Sequence, residues 1–299
     1  MMRILITGSN SLLGSGLLKT APKNFEVAIS WHENPPSYRR DSYSIKVNLD
    51  VEDPKSVKII LKKITPQVVI HLASISDVDY CEINKRKAFA TNVVGLRNIL
   101  RESKLSGIKV IFASTNAVFD GNNAPYSETK KPNPISYYGY TKLQAEKLIQ
   151  ESNVLYAIVR ITTMYGWQPD GARLNPVTWV IDKLKREEKI FMVTDKFINP
   201  SYNLSAAKAI WKMVQKDFQG SIHLAGKDTV SRYDWATSVA KVFDLPQNLI
   251  FPVESSHFPD LAKRPDDTSF DTKKMIKQLK IKPMSLKQGL KQMRNEKVR

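Results

Sequence analysis

The amino-acid sequence predicts an α/β protein built on a doubly wound parallel sheet, with a smaller lobe at its C-terminal end. Three observations carry this. Short β-branched runs alternate with longer helical patterns through the first half of the chain, as in successive βαβ units. A glycine turn, Thr7-Gly8-Ser9-Asn10-Ser11-Leu12-Leu13-Gly14, sits between the first strand and the first helix. After about residue 166 the rhythm breaks into less regular elements, suited to covering the carboxyl ends of the strands where open α/β sheets bind ligands.

The elements follow in order. Arg3 to Ile6 is the first strand, Leu12 to Thr20 a helix, Phe25 to Ser30 and Ser44 to Val47 strands, and Pro54 to Lys63 an amphipathic helix. Gln67 to Leu72 is apolar but for Gln67 and His71, as in a strand covered on both faces. A long helix over Lys85 to Ser103 leads to the strand Lys109 to Ala113, then a polar loop, a helix over Ser136 to Glu151 and the strand Tyr156 to Arg160. Beyond them come a helix over Pro176 to Arg186, a strand over Ile190 to Val193, and helices over Ala206 to Gln215 and Arg232 to Phe243. From Asp271 onward basic residues dominate, with Met275, Ile276, Leu279, Leu286 and Leu290 spaced for helical apolar faces. The predicted division is a dinucleotide-binding domain over 1–165 and a substrate lobe over 166–299, some of whose segments return to the sheet.

Composition bounds the function. With 299 residues, 42% of them hydrophobic and 25% charged, the chain is an ordinary globular protein with room for a substantial core. Its single cysteine, Cys81, excludes an internal disulfide and multi-cysteine metal sites, so no metal is expected and a reducing cytoplasm fits. The N-terminus lacks a signal-peptide pattern and no apolar run is long enough for a membrane span. The formal charge of +17 favours an anionic partner. No nucleic-acid-binding module interleaves aromatics with these basic residues, so a small phosphorylated ligand is the expected one.

A glycine turn between strand and helix lets backbone N–H groups and a helix N-terminus approach a diphosphate, with Gly8 making the tight turn and Gly14 the close helix–strand approach. Ser11 stands where dinucleotide binders prefer glycine. The second strand ends without an acid for a ribose hydroxyl, and Arg39 and Arg40 follow on a loop that can reach a 2′-phosphate. NADP(H) is therefore favoured, with NAD(H) as the alternative. Asp50-Val51 suits the adenine edge, and equally the start of the helix at Pro54. Tyr138 and Lys142 form a Tyr-x-x-x-Lys pair on one helix face. A nearby ammonium is expected to lower the phenol toward its working range, and a hydroxyl at Ser114-Thr115 can share a substrate carbonyl with it.

At this point the chain resembles an extended short-chain dehydrogenase/reductase, and within that group the dTDP-4-dehydrorhamnose reductase family. The likeness runs over nearly the whole length: the Thr7-to-Gly14 turn, Ala73 through Asp79 with Cys81-Glu82, Asn92-Val93-Val94-Gly95, Ser114-Thr115, Val118-Phe119-Asp120-Gly121, Pro125-Tyr126, Tyr138-Gly139 with Lys142-Leu143 and Glu146, Val159-Arg160, Tyr165-Gly166 and Arg264-Pro265. The resemblance implies a Rossmann sheet and a catalytic trio of Thr115, Tyr138 and Lys142, with Tyr138 protonating the carbonyl oxygen as hydride arrives. It implies a cofactor lined by Gly8, Ser11, Leu12, Leu13, Asp50, Val51, Ala73 and Ser74, with Asn92 supporting the sheet edge. It places Val78, Asp79, Asn199 and Arg264 toward a nucleotide sugar. Departures fall in the sugar pocket: Asn116-Ala117 replaces Asp-Tyr, Thr163 replaces a tryptophan, Pro200-Ser201 replaces Pro-Thr and Ser205 an acid.

The implied activity is NADPH-dependent reduction of a 4-keto nucleotide-linked deoxysugar, dTDP-4-dehydrorhamnose first, with a homodimer compatible with it. A dehydratase would need acid–base groups that Asn116-Ala117 lacks. A nucleotide-sugar epimerase shares the trio. The chain is also similar to the non-catalytic, NADP-binding regulatory β subunit of methionine adenosyltransferase, through Phe119-Asp120-Gly121, Pro125-Tyr126, Tyr138-Gly139, Lys142-Leu143 and Arg264-Pro265.

Overall fold

A computed structural model describes residues 1–33, 43–258 and 261–297. In chain order its elements are β1 (Met2–Thr7), α1 (Leu12–Lys19), β2 (Phe25–Trp31), β3 (Ile45–Asn48), α2 (Pro54–Ile64), β4 (Val68–His71), α3 (Val78–Ile83), α4 (Lys85–Phe89), α5 (Gly95–Ser106), β5 (Lys109–Thr115), α6 (Tyr137–Gln150) and β6 (Tyr156–Ile161). Then follow β7 (Met164–Tyr165), α7 (Pro176–Lys185), β8 (Ile190–Val193), β9 (Phe197–Ile198), β10 (Ser201–Tyr202), α8 (Asn203–Gln215), β11 (Gly220–Leu224), β12 (Val230–Ser231), α9 (Arg232–Phe243), β13 (Ile250–Val253), α10 (Lys273–Leu279) and α11 (Leu286–Lys297).

The main sheet has seven strands in the order β11-β6-β5-β4-β1-β2-β3, and every pairing in it is parallel. Val68-Val69-Ile70 and Val110-Ile111-Phe112 are wholly buried, because helices cover both faces of their strands and leave no side for polar residues. On one face Leu13 and Leu17 of α1, Ala207, Ile210 and Trp211 of α8, and Met275 and Leu279 of α10 pack on the sheet. On the other lie Val57 and Leu61 of α2, Leu96 and Ile99 of α5, and Ala145 and Ile149 of α6. Thus β11, α8 and α10 belong to the sheet although they lie beyond residue 165. A separate apolar cluster holds α7, α9 and α11 together with β8 and β13; this is the smaller lobe.

The chain order reverses between β1 and β4, which opens a crevice at the carboxyl ends of those strands. One predicted element differs. The expected helix over Lys85 to Ser103 is broken by a wide, π-wound turn over Ala90–Val94. That turn carries Asn92, whose side chain leaves the helix to bind the backbone of Ile75 and the Thr141 hydroxyl, a local rewinding typical of helices that serve a neighbouring site. Among the described residues no helix is long and apolar enough to cross a membrane.

Candidate active site

The glycine turn follows directly from β1. Gly8 has φ +62, and a Cβ there would stand 2.7 Å from the Ala73 amide nitrogen, so only glycine brings the turn against the loop after β4. Thr7 locks the two together. Its hydroxyl oxygen accepts the amides of Leu72 at 3.2 Å and Ala73 at 3.3 Å and lies 2.9 Å from His71 Nδ1. Burial lowers the His71 pKa to about 3, helped by the charge of Lys142, so the ring is neutral. Ser11 caps α1 by accepting the Gly14 amide at 3.1 Å, and the amides of Leu12 and Leu13 begin a helix with no acceptor behind them.

The chemistry-bearing trio comes from β5 and α6. Ser136 caps α6 by accepting the Gly139 amide at 3.2 Å. A Cβ on Gly139 would lie 2.1 Å from the Ala117 carbonyl oxygen, so the first turn of α6 rests on the backbone just past β5. That contact sets Tyr138 in hydrogen-bond reach of Thr115. Lys142 is 2% exposed, donates to the Ala113 carbonyl at 2.6 Å and lies 4.1 Å from the centre of the Phe112 ring. Burial pulls its pKa down to about 7, against the opposing charge of Glu146.

Burial pushes the Tyr138 phenol up to about 12, with the hydrogen bond to Thr115 pulling the other way. The expected lowering by Lys142 is not what sets this phenol before substrate is present: burial is the largest cause and outweighs the Thr115 hydrogen bond. Beneath the trio Glu146, 1% exposed, receives Arg160 Nε at 3.0 Å and Nη2 at 2.6 Å and the Ser114 hydroxyl.

All of this opens on one cleft of about 650 Å³. Ser11, Leu12, Leu13 and Ser74 line it at the glycine-turn end, Thr115, Tyr138 and Lys142 at the middle, and Val78, Asp79 and Arg264 at the far end. Arg264 Nη2 bonds Asp79 Oδ2 at 2.7 Å, and Asp79 also accepts the Ala262 amide; the guanidinium holds the Asp79 carboxyl below its usual range.

Other predicted residues stand elsewhere. Gly8 and Ala73 shape the turn without lining the cleft. Asp50 accepts the Glu52 amide at 2.9 Å after β3, and Val51 is buried against Gly95; neither lines the cleft. Asn92 braces the loop from behind. Asn199 is corrected: it is buried, and both ends of its amide are spent on the Phe270 backbone at 2.9 and 3.0 Å, so it ties two chain segments together instead of facing a ligand. Arg39 and Arg40 lie outside the described residues.

Sequence reading missed Arg173, Lys196, Arg232 and Thr268, all lining the cleft. Arg173 pairs with Asp77 and Lys196 with Asp266. Arg232 opens α9 behind its Ser231 cap; burial lowers its pKa to about 10, helped by the charge of Arg264. Among the described residues Arg232 has no ion-pair partner and lies 5.3 Å from the Trp235 ring centre. A cation in a helix's first turn opposes the helix dipole, and that mismatch was the one legible signal. The far end of the cleft can therefore hold an anion, the near end a dinucleotide phosphate, with the Thr115 hydroxyl, the Tyr138 phenol and the Lys142 amine between them. No group of side chains suited to a metal ion occurs among the described residues.

Comparison with known proteins follows the same lines. A family model described as RmlD substrate binding domain matches residues 2–298. The chain is 28% identical over 281 residues to methionine adenosyltransferase 2 subunit beta of Bos taurus, covering 91% of this chain and 81% of that one. It is 28% identical over 276 residues to the probable low-salt glycan biosynthesis reductase Agl14 of Haloferax volcanii, covering 90% of each. A solved dTDP-4-dehydrorhamnose reductase from Bacillus anthracis, in complex with NADP, superposes with a TM-score of 0.85 at 27% identity, over 99% of this chain and 100% of that one.

Proposed function

The chain belongs to the RmlD substrate binding domain family, and on that premise we propose that it is an NADPH-dependent oxidoreductase of the extended short-chain dehydrogenase/reductase type. Its substrate class is a 4-keto nucleotide-linked deoxysugar, and the specific reaction is dTDP-4-dehydrorhamnose to dTDP-rhamnose. Residues 1–165 supply the cofactor half of the site and 166–299 most of the sugar-nucleotide half. The observation that carries this reading is the meeting of Thr115, Tyr138 and Lys142 in the cleft that also receives the glycine turn. The solved reductase with NADP supports the cofactor choice.

The residues present fit the cofactor: a turn that only Gly8 can make, and first-turn amides of α1 facing the cleft where a diphosphate would sit. NADPH, when bound, supplies the hydride. Thr115 holds the carbonyl oxygen, and Tyr138 gives it a proton. A phenol raised to about 12 stays protonated through the working range, and an oxygen becoming an alkoxide is basic enough to take its proton once the phenolate left behind is stabilised. Lys142, near its midpoint at neutral pH, supplies the positive charge that stabilises the phenolate left behind. Arg232 and Arg264 at the far end take the diphosphate of the substrate.

The test is loss of NADPH absorbance with dTDP-4-dehydrorhamnose and related 4-keto sugars. Tyr138→Phe is expected to lower kcat on the order of 10²- to 10⁴-fold with NADPH affinity retained; full activity in that variant, or none in the wild type with any such sugar, would remove the reading. A second reading, a non-catalytic subunit, is favoured by the similarity to methionine adenosyltransferase 2 subunit beta. A stable complex with a methionine adenosyltransferase catalytic chain, together with no turnover, would select it.

A further inference from the structure

Asn116 stands in one of the positions where this chain departs from the pattern of the reductases it resembles, and its contacts give it a task. Its Oδ1 accepts the Thr115 hydroxyl at 3.3 Å, and its Nδ2 donates to the Thr268 hydroxyl. Thr268, 4% exposed, lies 152 positions further along the chain. The segment it ends is laced down along its length. Arg264 is paired with Asp79 and Asp266 with Lys196. The Phe197 amide donates to the Asp266 carbonyl at 2.6 Å, and the Thr268 amide to the Phe197 carbonyl at 3.2 Å.

Residues 264 to 268 thus form a strap along the cleft, with Arg264 and Thr268 both lining it. Four extended steps reach at most about 14 Å, so Thr268 and Arg264 are held within that distance of each other on the cleft wall. We propose that Asn116 and Thr268 are positioning residues for the reduction, holding Thr115 in register with Tyr138 through the strap that carries Arg264. This rests on the reductase reading. The bond from Thr115 to Asn116 is long, so the hydroxyl can exchange it for a substrate oxygen, while the Thr268 contact keeps Asn116 in place as the wall beside it. An aspartate at 116 would offer acceptors only and could not donate to Thr268.

The experiment compares Thr268→Val, of equal shape without a hydroxyl, with Thr268→Ser, which keeps the hydroxyl and loses the methyl. Asn116→Ala is the third variant, and thermal melting reports folding of each. Expected for Thr268→Val and Asn116→Ala is a fall in kcat of about tenfold, the worth of one hydrogen bond. KM and NADPH affinity, read by nicotinamide fluorescence, should stay within about twofold, and Thr268→Ser should restore kcat. Unchanged kcat in Thr268→Val, equal losses in Thr268→Ser and Thr268→Val, or a change confined to KM would overturn the assignment while leaving an active wild type and an inactive Tyr138→Phe in place. A wild type without turnover on any 4-keto sugar nucleotide overturns the reductase reading itself, and this role with it.

Discussion

Replacing Glu146 by glutamine removes one charge from the cluster on which the reaction centre stands. The carboxylate is held by Arg160 in a two-point contact at 3.0 and 2.6 Å, with both side chains nearly out of solvent. Glutamine keeps the size and an acceptor, but leaves the guanidinium uncompensated in a medium that screens poorly. Breaking a buried pair in this way costs about 3–5 kcal/mol. The second consequence runs along α6, where Glu146 follows Lys142 by one turn and favours its protonated form. Without that carboxylate, and with Arg160 unbalanced nearby, the Lys142 pKa falls further below about 7. If the lysine works as a cation, as proposed, activity is expected to decline as pH rises through its pKa, so the alkaline limb of kcat/KM should move to lower pH. Urea unfolding measures the first effect, as a lower midpoint at unchanged slope; the pH profile measures the second. A stability loss under about 1 kcal/mol would refute the buried-pair account, and an unmoved alkaline limb would remove Glu146 from the electrostatics of Lys142.

Gly139→Ala places a methyl 2.1 Å from the Ala117 carbonyl oxygen. The first turn of α6 must then lift, costing about 1–3 kcal/mol and parting Tyr138 from Thr115, so turnover should fall far more than NADPH binding; steady-state kinetics with a fluorescence titration would show it. His71 and His223 are both held near pKa 3 by burial, with Lys142 and Arg160 adding to the effect. An unfolded histidine takes its proton near 6.5 and these do not until about 3, so stability drops as pH falls through that window. Denaturant unfolding across it should show this slope, and replacing both rings by glutamine should flatten it. Arg39→Ala with Arg40→Ala is expected to weaken NADPH binding more than NADH binding; an unchanged ratio of the two dissociation constants would dismiss both arginines.

Much of this molecule is written locally. The apolar runs at Arg3 to Ile6, Gln67 to Leu72 and Lys109 to Ala113 read as strands because burial on both faces leaves no polar alternation, and the sheet contains all three. The glycine turn and the Tyr138–Lys142 pair were legible because each depends on spacing over a few residues. Where the local signal was thin, reading stopped: β11 at Gly220–Leu224 and the short α3 at Val78–Ile83 are too brief and too mixed in polarity to show a period. The break over Ala90–Val94 escaped for a different reason, since it is imposed by what Asn92 must reach across the fold.

The sequence alone determined which residues could do the chemistry, since hydroxyl, phenol, amine and glycine turn are properties of short segments. Tertiary structure decided what those groups became. Tyr138 is raised and not lowered because burial, summed over the surrounding segments, outweighs the hydrogen bond from Thr115. Asn199 became a tie between segments, and Arg232 and Thr268 came to the cleft from far along the chain. Desolvation and long-range contact depend on where distant segments end up, and no window of sequence contains that distance.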